Sequence, residues 1–173
     1  MPLEIERKFL IALPDTDFLG KLPGCRVKRI RQTYLEKIPG TKTERRIRRI
    51  EEDGAVSFVF TKKDKITKIT RREEEREITE EEYRALYGEA KKELTKTRYA
   101  FPFGGHVVEI DVYPYEIGGD GLVGKAVLEV ELESEREEFS LPDFIRIERE
   151  LTGTKEFSNK TMAKKIRGDR VPD

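Results

Sequence analysis

The chain has one cysteine, Cys25, and one histidine, His106, in 173 residues. A single thiol cannot form an internal disulfide framework, and no thiol pattern for a metal exists. The histidine sits in the turn-like stretch "PFGGH", so no Ser-His-Asp constellation can be built around it. There is no apolar run of about 18 residues and no signal-peptide core, so neither a membrane span nor an export signal is expected. The glycines follow neither the P-loop nor the dinucleotide-binding pattern. Net charge is missing too. The 35 basic and 35 acidic residues cancel. No overall field draws nucleic acid or an anionic membrane to the protein, so any anion site must come from local clustering. The expectation is one soluble, cytoplasmic domain over residues 1–173, with no nucleic-acid or membrane partner.

What is abundant is charge. Charged residues make up 40% of the chain, against about 25% in a typical globular domain. A heat-adapted surface rich in Lys, Glu and Arg accounts for part of this. The rest is patterned. Strand-like stretches dominate, beginning with Glu4–Ile11 and Val27–Leu35. A hairpin follows, Glu44–Glu51 and Val56–Lys62 about a turn at Asp53-Gly54, a dipeptide suited to two-residue turns. Further strands are expected at Thr70–Ile78, on either side of "PFGG", and at "AVLEVELES". Helices are expected in "PDTDFLGKL", at Thr79–Glu93 behind a Thr79/Glu82 capping box, and at Ser158–Arg167 ahead of Gly168. "LPDFIRIERELTG" reads as a short helical or extended connection. Short turns between strands imply a mainly antiparallel sheet of about eight strands, closed into a barrel or folded as a sandwich.

Side chains alternate between the two faces of a strand. In "EIERK", Glu4, Glu6 and Lys8 share one face; Ile5, Arg7 and Phe9 share the other. Glu73 and Glu75, Glu109 and Asp111, and Glu129 and Glu131 alternate with mostly apolar neighbours. So do Arg46 and Arg48, and Lys96 and Arg98, while Lys62 closes an apolar strand. A half-buried antiparallel sheet with one wet face explains any single strand of this kind. It does not explain the sorting, because "EIDV" and "EVEL" are purely acidic and "RRIRR" and "KTR" purely basic. Like charges along one strand need partners across a sheet or in a ligand. Turned inward and packed dry, such faces would be very costly. Around water they line a tunnel whose carboxylates suit hard divalent cations and whose cations suit phosphate oxygens. Those are the components of phosphoryl-transfer chemistry. The outer, apolar faces would then be covered by the helix at 79–93, the C-terminal helix or a partner subunit, which leaves a homodimer open.

"EIERK" resembles the ExExK signature of the CYTH superfamily, the triphosphate tunnel metalloenzymes. The later motifs follow in the family's order: "RQTYL" (Arg31–Leu35), "RIR" (Arg46–Arg48), Lys62 at a strand end, "RREEE" (Arg71–Glu75), "KTRY" (Lys96–Tyr99), "EIDVY" (Glu109–Tyr113), "LEVEL" (Leu128–Leu132) and "TGTKEFSNKTMA" (Thr152–Ala163). The resemblance implies a mainly β (α+β) fold, an eight-stranded antiparallel closed barrel forming a charged tunnel with a few flanking helices, and Mg²⁺ or Mn²⁺ as cofactor. It implies that Glu4, Glu6, Glu129 and Glu131 hold a first metal, with Asp111, Glu109, Glu73 and Glu75 as candidates for a second or for orienting water and basic residues. It implies a phosphate path along Lys8, Arg46, Arg48, Lys62, Arg71, Lys96, Arg98 and Lys155, with Lys8, Glu73 and Glu75 nearest the chemistry. One departure stands out: Thr154 and Glu156 occupy places where the family often has Asp and Arg.

The resulting expectation is a metal-dependent triphosphatase acting on a small-molecule triphosphate. Inorganic tripolyphosphate leads, because the chain is short and shows no obvious insertion to recognise a base or a thiazolium ring. An adenylate cyclase of the class IV type acting on ATP, and a thiamine triphosphatase acting on thiamine triphosphate, are the alternatives on the same tunnel. A polyphosphate- or nucleotide-binding module without turnover is the non-enzyme alternative.

Overall fold

Alternating sequence produces nine strands and three helices in the computed structural model, which describes residues 3–113 and 122–165. In chain order they are β1 (Leu3–Ala12), α1 (Thr16–Gly20), β2 (Arg26–Leu35), β3 (Glu44–Glu52), β4 (Ala55–Lys65), β5 (Thr70–Ile78), α2 (Glu80–Tyr87), β6 (Ala90–Phe103), β7 (His106–Val112), β8 (Lys125–Leu132), β9 (Ile147–Glu150) and α3 (Asn159–Lys165). The strands hydrogen-bond in the order β5-β4-β3-β2-β6-β7-β8-β1, each antiparallel to its neighbour. β1 returns to β5 through Leu3↔Arg72, Glu4↔Arg71 and Ile5↔Thr70. That pairing closes an eight-stranded antiparallel barrel. The short β9 pairs with Phe9–Ile11 on β1.

Turn chemistry sets the register. Asp53 (φ 52°) and Gly54 (φ 78°) both adopt left-handed conformations, as a two-residue hairpin turn matched to strand twist requires. The resulting β3–β4 register is Glu52↔Ala55 through Arg46↔Thr61 to Glu44↔Lys63. Gly104 and Gly105 turn β6 into β7 with φ 58° and 83°. At Gly104 a Cβ would also come within 2.6 Å of Ser140 Oγ, so glycine is required twice over.

One expectation about the helices needs correction. α2 begins as read, with Thr79 Oγ1 accepting from the Glu82 amide at 3.1 Å, but it ends at Tyr87. Residues 90–93 belong to β6. Gly88 weakens the helix, and extension pairs Leu35–Thr33 with Ala90–Glu93. The extended form also satisfies Glu93, only 9% exposed, whose carboxylate accepts from Tyr87 (2.6 and 2.7 Å) and Arg31 (3.3 Å). α3 forms from Asn159 to Lys165; Gly168 lies outside the described residues. The "LPDFIRIERELTG" connection carries the four residues of β9. Among the described residues, no helix is long and apolar enough to cross a membrane.

Three apolar clusters hold the barrel. Outside, Ile5, Phe9, Ile11, Phe101, Val108, Ile110, Leu128 and Val130 form one, covered by Phe139, Leu141, Phe144 and Ile145 from the segment before β9. On another flank Tyr83 and Leu86 of α2 cover Ile47, Ile78, Phe58 and Phe60. Each large side chain removed from water in this way contributes about 1.5–3 kcal/mol. The third cluster lies on the inward faces: Leu10, Tyr34, Leu94 and Val127 meet Met162 and Ala163 of α3. The C-terminal helix therefore packs into one end of the barrel instead of shielding its outer wall. A strand face that reads Glu4-Glu6-Lys8 ends in Leu10, and the helix binds where the charge stops.

Candidate functional site

The remaining interior is a cavity of about 510 Å³. Twelve Lys or Arg and eight Glu line it, an excess of four positive charges among the described residues. The charges are divided by wall. β7, β8 and β1 are consecutive in the barrel and contribute Glu109, Glu129, Glu131, Glu4 and Glu6, with Lys8 as the one cation. Across from them β4, β3, β2 and β6 contribute Lys63, Lys65, Arg46, Arg48, Lys28, Lys96 and Arg98, with Glu44 as the one carboxylate. β5, between β4 and β1, is mixed: Arg71, Glu73 and Glu75. Single-sign strands in the sequence thus become an acidic half and a basic half facing each other.

On the acidic half, Glu6 is within hydrogen-bonding reach of Glu4 and Glu129. Burial, reinforced by the charges of Glu129 and Glu4, pushes its carboxyl up to about 8. Burial also pushes Glu129 up, but Lys8, Arg98 and Lys96 together outweigh it and hold that carboxyl well below the usual range. Lys8 Nζ lies 3.4 Å from Glu129, and Lys63 Nζ 3.0 Å from Glu4 and 3.3 Å from Glu73. With these lysines among the carboxylates, no three His, Cys, Asp or Glu side chains of the described residues converge to hold a metal ion. The donor set nonetheless fits one. Hard carboxylate oxygens crowded around a retained proton are what a divalent cation relieves.

On the basic half, Lys96 is 3% exposed and donates to Asp111 Oδ2 at 2.8 Å. Arg98 donates Nε to Asp111 Oδ1 at 2.8 Å, Nη2 to Oδ2 at 3.0 Å and Nη1 to Glu109 at 3.1 Å. Burial lowers Lys96 to about 8 against the pull of Asp111. Arg48 donates Nη2 to Glu75 at 3.0 Å; burial and the neighbouring Arg46 push it down to about 10. These cations are held in place by carboxylates before any ligand arrives.

Of the residues expected from the sequence, Glu4, Glu6, Lys8, Arg46, Arg48, Arg71, Glu73, Glu75, Lys96, Arg98, Glu109, Glu129, Glu131 and Lys155 all line this one cavity. Two differ. Lys62 does not line it; it stands across from Arg45 on β3 and Glu74 on β5, on the outward face. Lys63 points inward in its place. The hairpin register carries the signal that identifies it. A two-residue turn at Asp53-Gly54 puts Arg46 opposite Thr61, so the inward set on β4 is odd-numbered. The second difference is Asp111. It faces inward but is 1% exposed, with both oxygens taken by Lys96 and Arg98, so of the two roles the resemblance leaves open for it the geometry matches the orienting of basic residues and not the metal ligand. Glu156 pairs with Arg149 at 2.5 Å, and Thr154 Oγ1 donates to the Leu151 carbonyl at 2.8 Å. Thr154 brings no charge to the family's Asp place, and Glu156 brings to its Arg place a negative charge that Arg149 pairs. Lys28, Lys42 and Lys65 also line the cavity without having been anticipated, as do Gln32 and Lys160, which lie in "RQTYL" and "TGTKEFSNKTMA" but have no expected role in the site.

No family model matches the chain, and no curated protein matches it. Solved structures do. The inorganic triphosphatase NE1496 is 30% identical, with 95% of this chain and 100% of that one covered and a TM-score of 0.56. The PH1819 protein from Pyrococcus horikoshii is 23% identical over 77% of this chain and 80% of that one, with a TM-score of 0.51. A conserved hypothetical protein from Pyrococcus furiosus is 20% identical over the same shares, with a TM-score of 0.57. The two archaeal structures share the fold; the first shares the fold and nearly a third of the residues along its whole length.

Proposed function

The chain belongs to the CYTH superfamily, the triphosphate tunnel metalloenzymes, and on that footing we propose that it is a metal-dependent triphosphatase acting on inorganic tripolyphosphate. The observation that carries the proposal is the division of the cavity into an acidic and a basic half. Tripolyphosphate carries about four to five negative charges near neutral pH, since terminal phosphates titrate near pH 6. The lining's excess of four positive charges offsets that load. Apart from Gly153, the lining residues without a charged or strongly polar group are Ile30, Ile50 and Tyr34, and Tyr34 is 3% exposed. The described cavity therefore offers no open aromatic or apolar platform for a base or a thiazolium ring, which favours a substrate made of phosphate alone.

Glu4, Glu6, Glu129 and Glu131 would hold the divalent cation, and Glu109 is the nearest further carboxylate wall. When bound, Mg²⁺ or Mn²⁺ supplies charge neutralisation and a more acidic water. The protein's own groups do the rest. Arg46, Arg48, Lys96 and Arg98 bind phosphate oxygens and stabilise charge on the transferred phosphoryl group. Asp111 and Glu75 keep those cations aimed, so little reorganisation is needed on binding. Lys8 and Lys63 sit between the carboxylates and the anion and shift from Glu129 and Glu4 to phosphate as substrate and cation enter. One carboxylate of the mixed wall, Glu73 or Glu75, orients the attacking water and receives its proton.

The test is release of phosphate from tripolyphosphate, ATP and thiamine triphosphate with Mg²⁺ and with Mn²⁺. Tripolyphosphate should be the preferred substrate, and Glu4→Gln/Glu6→Gln should be inactive. Full activity of that double variant would overturn the metal assignment.

A further inference from the structure

Three polar atoms on the wall opposite β1 lack partners. In the closed eight-strand ring β2 lies as far from β1 as a strand can. Gln32, on its inner face, is 0% exposed. Its Nε2 donates to Tyr34 Oη at 2.6 Å, which leaves Oε1 pointing away from the tyrosine with no partner among the described residues. Gln32 stands directly across from Arg48 in the β2–β3 ladder, and Arg46 is opposite Tyr34. The Nε atoms of Arg46 and Arg48 are likewise buried without acceptors. All three residues line the cavity.

Two unused donors and one unused acceptor define what fits between them. A cation is repelled by the two guanidiniums. A fully deprotonated anion satisfies Arg46 and Arg48 but meets the Gln32 carbonyl lone pair against lone pair. An anion that keeps one proton satisfies all three: its bare oxygens accept from the arginines and its O–H donates to Gln32 Oε1. In a polyphosphate only a terminal phosphoryl group can carry such a proton near neutral pH, with a pKa of about 6 in a monoester. Interior phosphoryl groups have none, and orthophosphate released from the end can carry one.

We propose that Gln32, with Arg46 and Arg48, is a specificity-determining site for the singly protonated terminal phosphoryl group and for protonated orthophosphate. The assignment rests on the triphosphatase reading and deepens it by stating which end of the substrate meets the basic wall. Gln32 contacts the ligand directly here, and Tyr34 is the positioning residue that sets its amide.

The test compares inorganic phosphate with sulfate, which has similar shape but no proton near neutral pH. Direct calorimetric binding to the full chain, with Mg²⁺ present, should favour phosphate at about pH 6 by about tenfold or more, the discrimination expected when a buried polar partner is left unmet. Methyl phosphate, whose one remaining proton leaves at about pH 6, should lose its advantage over sulfate as the pH is raised through that value, whereas inorganic phosphate, which keeps a proton well above neutral pH, should hold its preference; sulfate reports any titration of the protein itself. Gln32→Leu should bind both anions alike. Tyr34→Phe, which frees the Gln32 amide from the hydrogen bond that orients it, should weaken the preference and stands in if the leucine variant does not fold. Equal binding of phosphate and sulfate by the unmodified protein overturns the inference, because the amide would then present its donor to the cavity. Binding of neither anion overturns it too. Hydrolysis of tripolyphosphate is read separately, so a protein that hydrolyses it yet shows no phosphate preference loses only this inference.

Discussion

Asp111 is where the structure selects between two roles the sequence leaves open, and the selection has a size. Its two oxygens accept three hydrogen bonds at 2.8, 2.8 and 3.0 Å from Lys96 and Arg98. Lys96 and Asp111 side chains are each 1% exposed, and Arg98 12%. Asp111→Asn keeps the shape, removes the charge and turns an NH₂ toward groups that only donate. Two buried cations are then left about 4 Å or less from a neutral amide. At an effective dielectric of about 20 a lost unit charge at that range removes about 4 kcal/mol of attraction from each cation. Deprotonation of Lys96 relieves part of this, since burial already lowers its pKa to about 8. Breaking a buried pair by removing one partner costs about 3–5 kcal/mol by comparison with measured cases. For a domain of this size each kcal/mol moves Tm by roughly 2–4 °C, so Asp111→Asn should melt roughly 6–20 °C lower.

The assay is urea and thermal unfolding of the variant, of Lys96→Met and of the double variant. Because Lys96→Met removes one of the two stranded cations, the double variant should recover about 1–3 kcal/mol relative to the sum of the singles. Calorimetric Mg²⁺ affinity of Asp111→Asn should change little, since the carboxylate is already used up by protein cations. A Tm within about 2 °C of the unmodified protein, which corresponds to about 1 kcal/mol or less, would refute the buried-clamp reasoning. So would additive singles, or a large loss of Mg²⁺ affinity in a variant that stays folded.

Lys63→Ala removes the partner of Glu4 and Glu73 and should lower kcat/KM for tripolyphosphate about a hundredfold, whereas Lys62→Ala should stay within about twofold because it faces outward; steady-state kinetics on the pair decides between the two phases of β4. Lys8→Ala should be as damaging as Lys63→Ala, while Arg7→Ala breaks an outer pair with Glu150 (2.6 Å, both about a third exposed) and the stacking of Arg7 over Phe9 and Phe139, and should cost about 1–2 kcal/mol of stability with little activity. Glu6 keeps its proton up to about pH 8, against 4.5 for an unperturbed glutamate; a divalent cation must displace that proton. Mg²⁺ binding near pH 7 should therefore release about one proton, and affinity should rise about tenfold per pH unit up to about pH 8 and then level. Calorimetry in two buffers of different protonation enthalpy reads the proton directly; a release that persists in Glu6→Gln would show that another group supplies it.

The barrel was legible because one signal repeats. Six of the eight barrel strands, β1, β3, β5, β6, β7 and β8, carry charge with period two, and in each the inward face is the one parity selects. β4 defeated that signal for a local reason. In "AVSFVFTKK" Phe58, Val59 and Phe60 are all apolar, because α2 covers the outer face where the barrel interior still takes a valine, so alternation vanishes and Lys62 and Lys63 look equivalent. Register recovers what alternation loses, since the Asp53-Gly54 turn couples every β4 residue to one on β3. Asp111 shows a different gap. Parity reports direction, not depth: Glu109 and Asp111 share a face, yet the longer side chains of Lys96 and Arg98 close over the shorter aspartate and leave only the glutamate at the cavity surface.

The apolar end of the interior follows from the same physics at larger scale. A uniformly charged barrel would need ligand or water along its whole length, and each buried, unmatched charge would cost several kcal/mol. Here Leu10, Tyr34, Leu94 and Val127 continue the charged faces as apolar ones, and Met162 and Ala163 fill the space between them. The contact also positions function. α3 and the residues just before it carry Lys155, Ser158, Asn159 and Lys160 to the cavity, and Tyr113 Oη ties the end of the acidic wall to Asn159 at 2.5 Å. Substituting Met162, 1% exposed, by Ala should therefore do more than open a void worth about 2–5 kcal/mol. It loosens the seat of Lys155 and Lys160, so tripolyphosphate KM should rise even under conditions where circular dichroism shows the barrel fully folded. An unchanged KM in a measurably destabilised Met162→Ala would mean that the end cluster holds the barrel shut and has no part in placing the lysines.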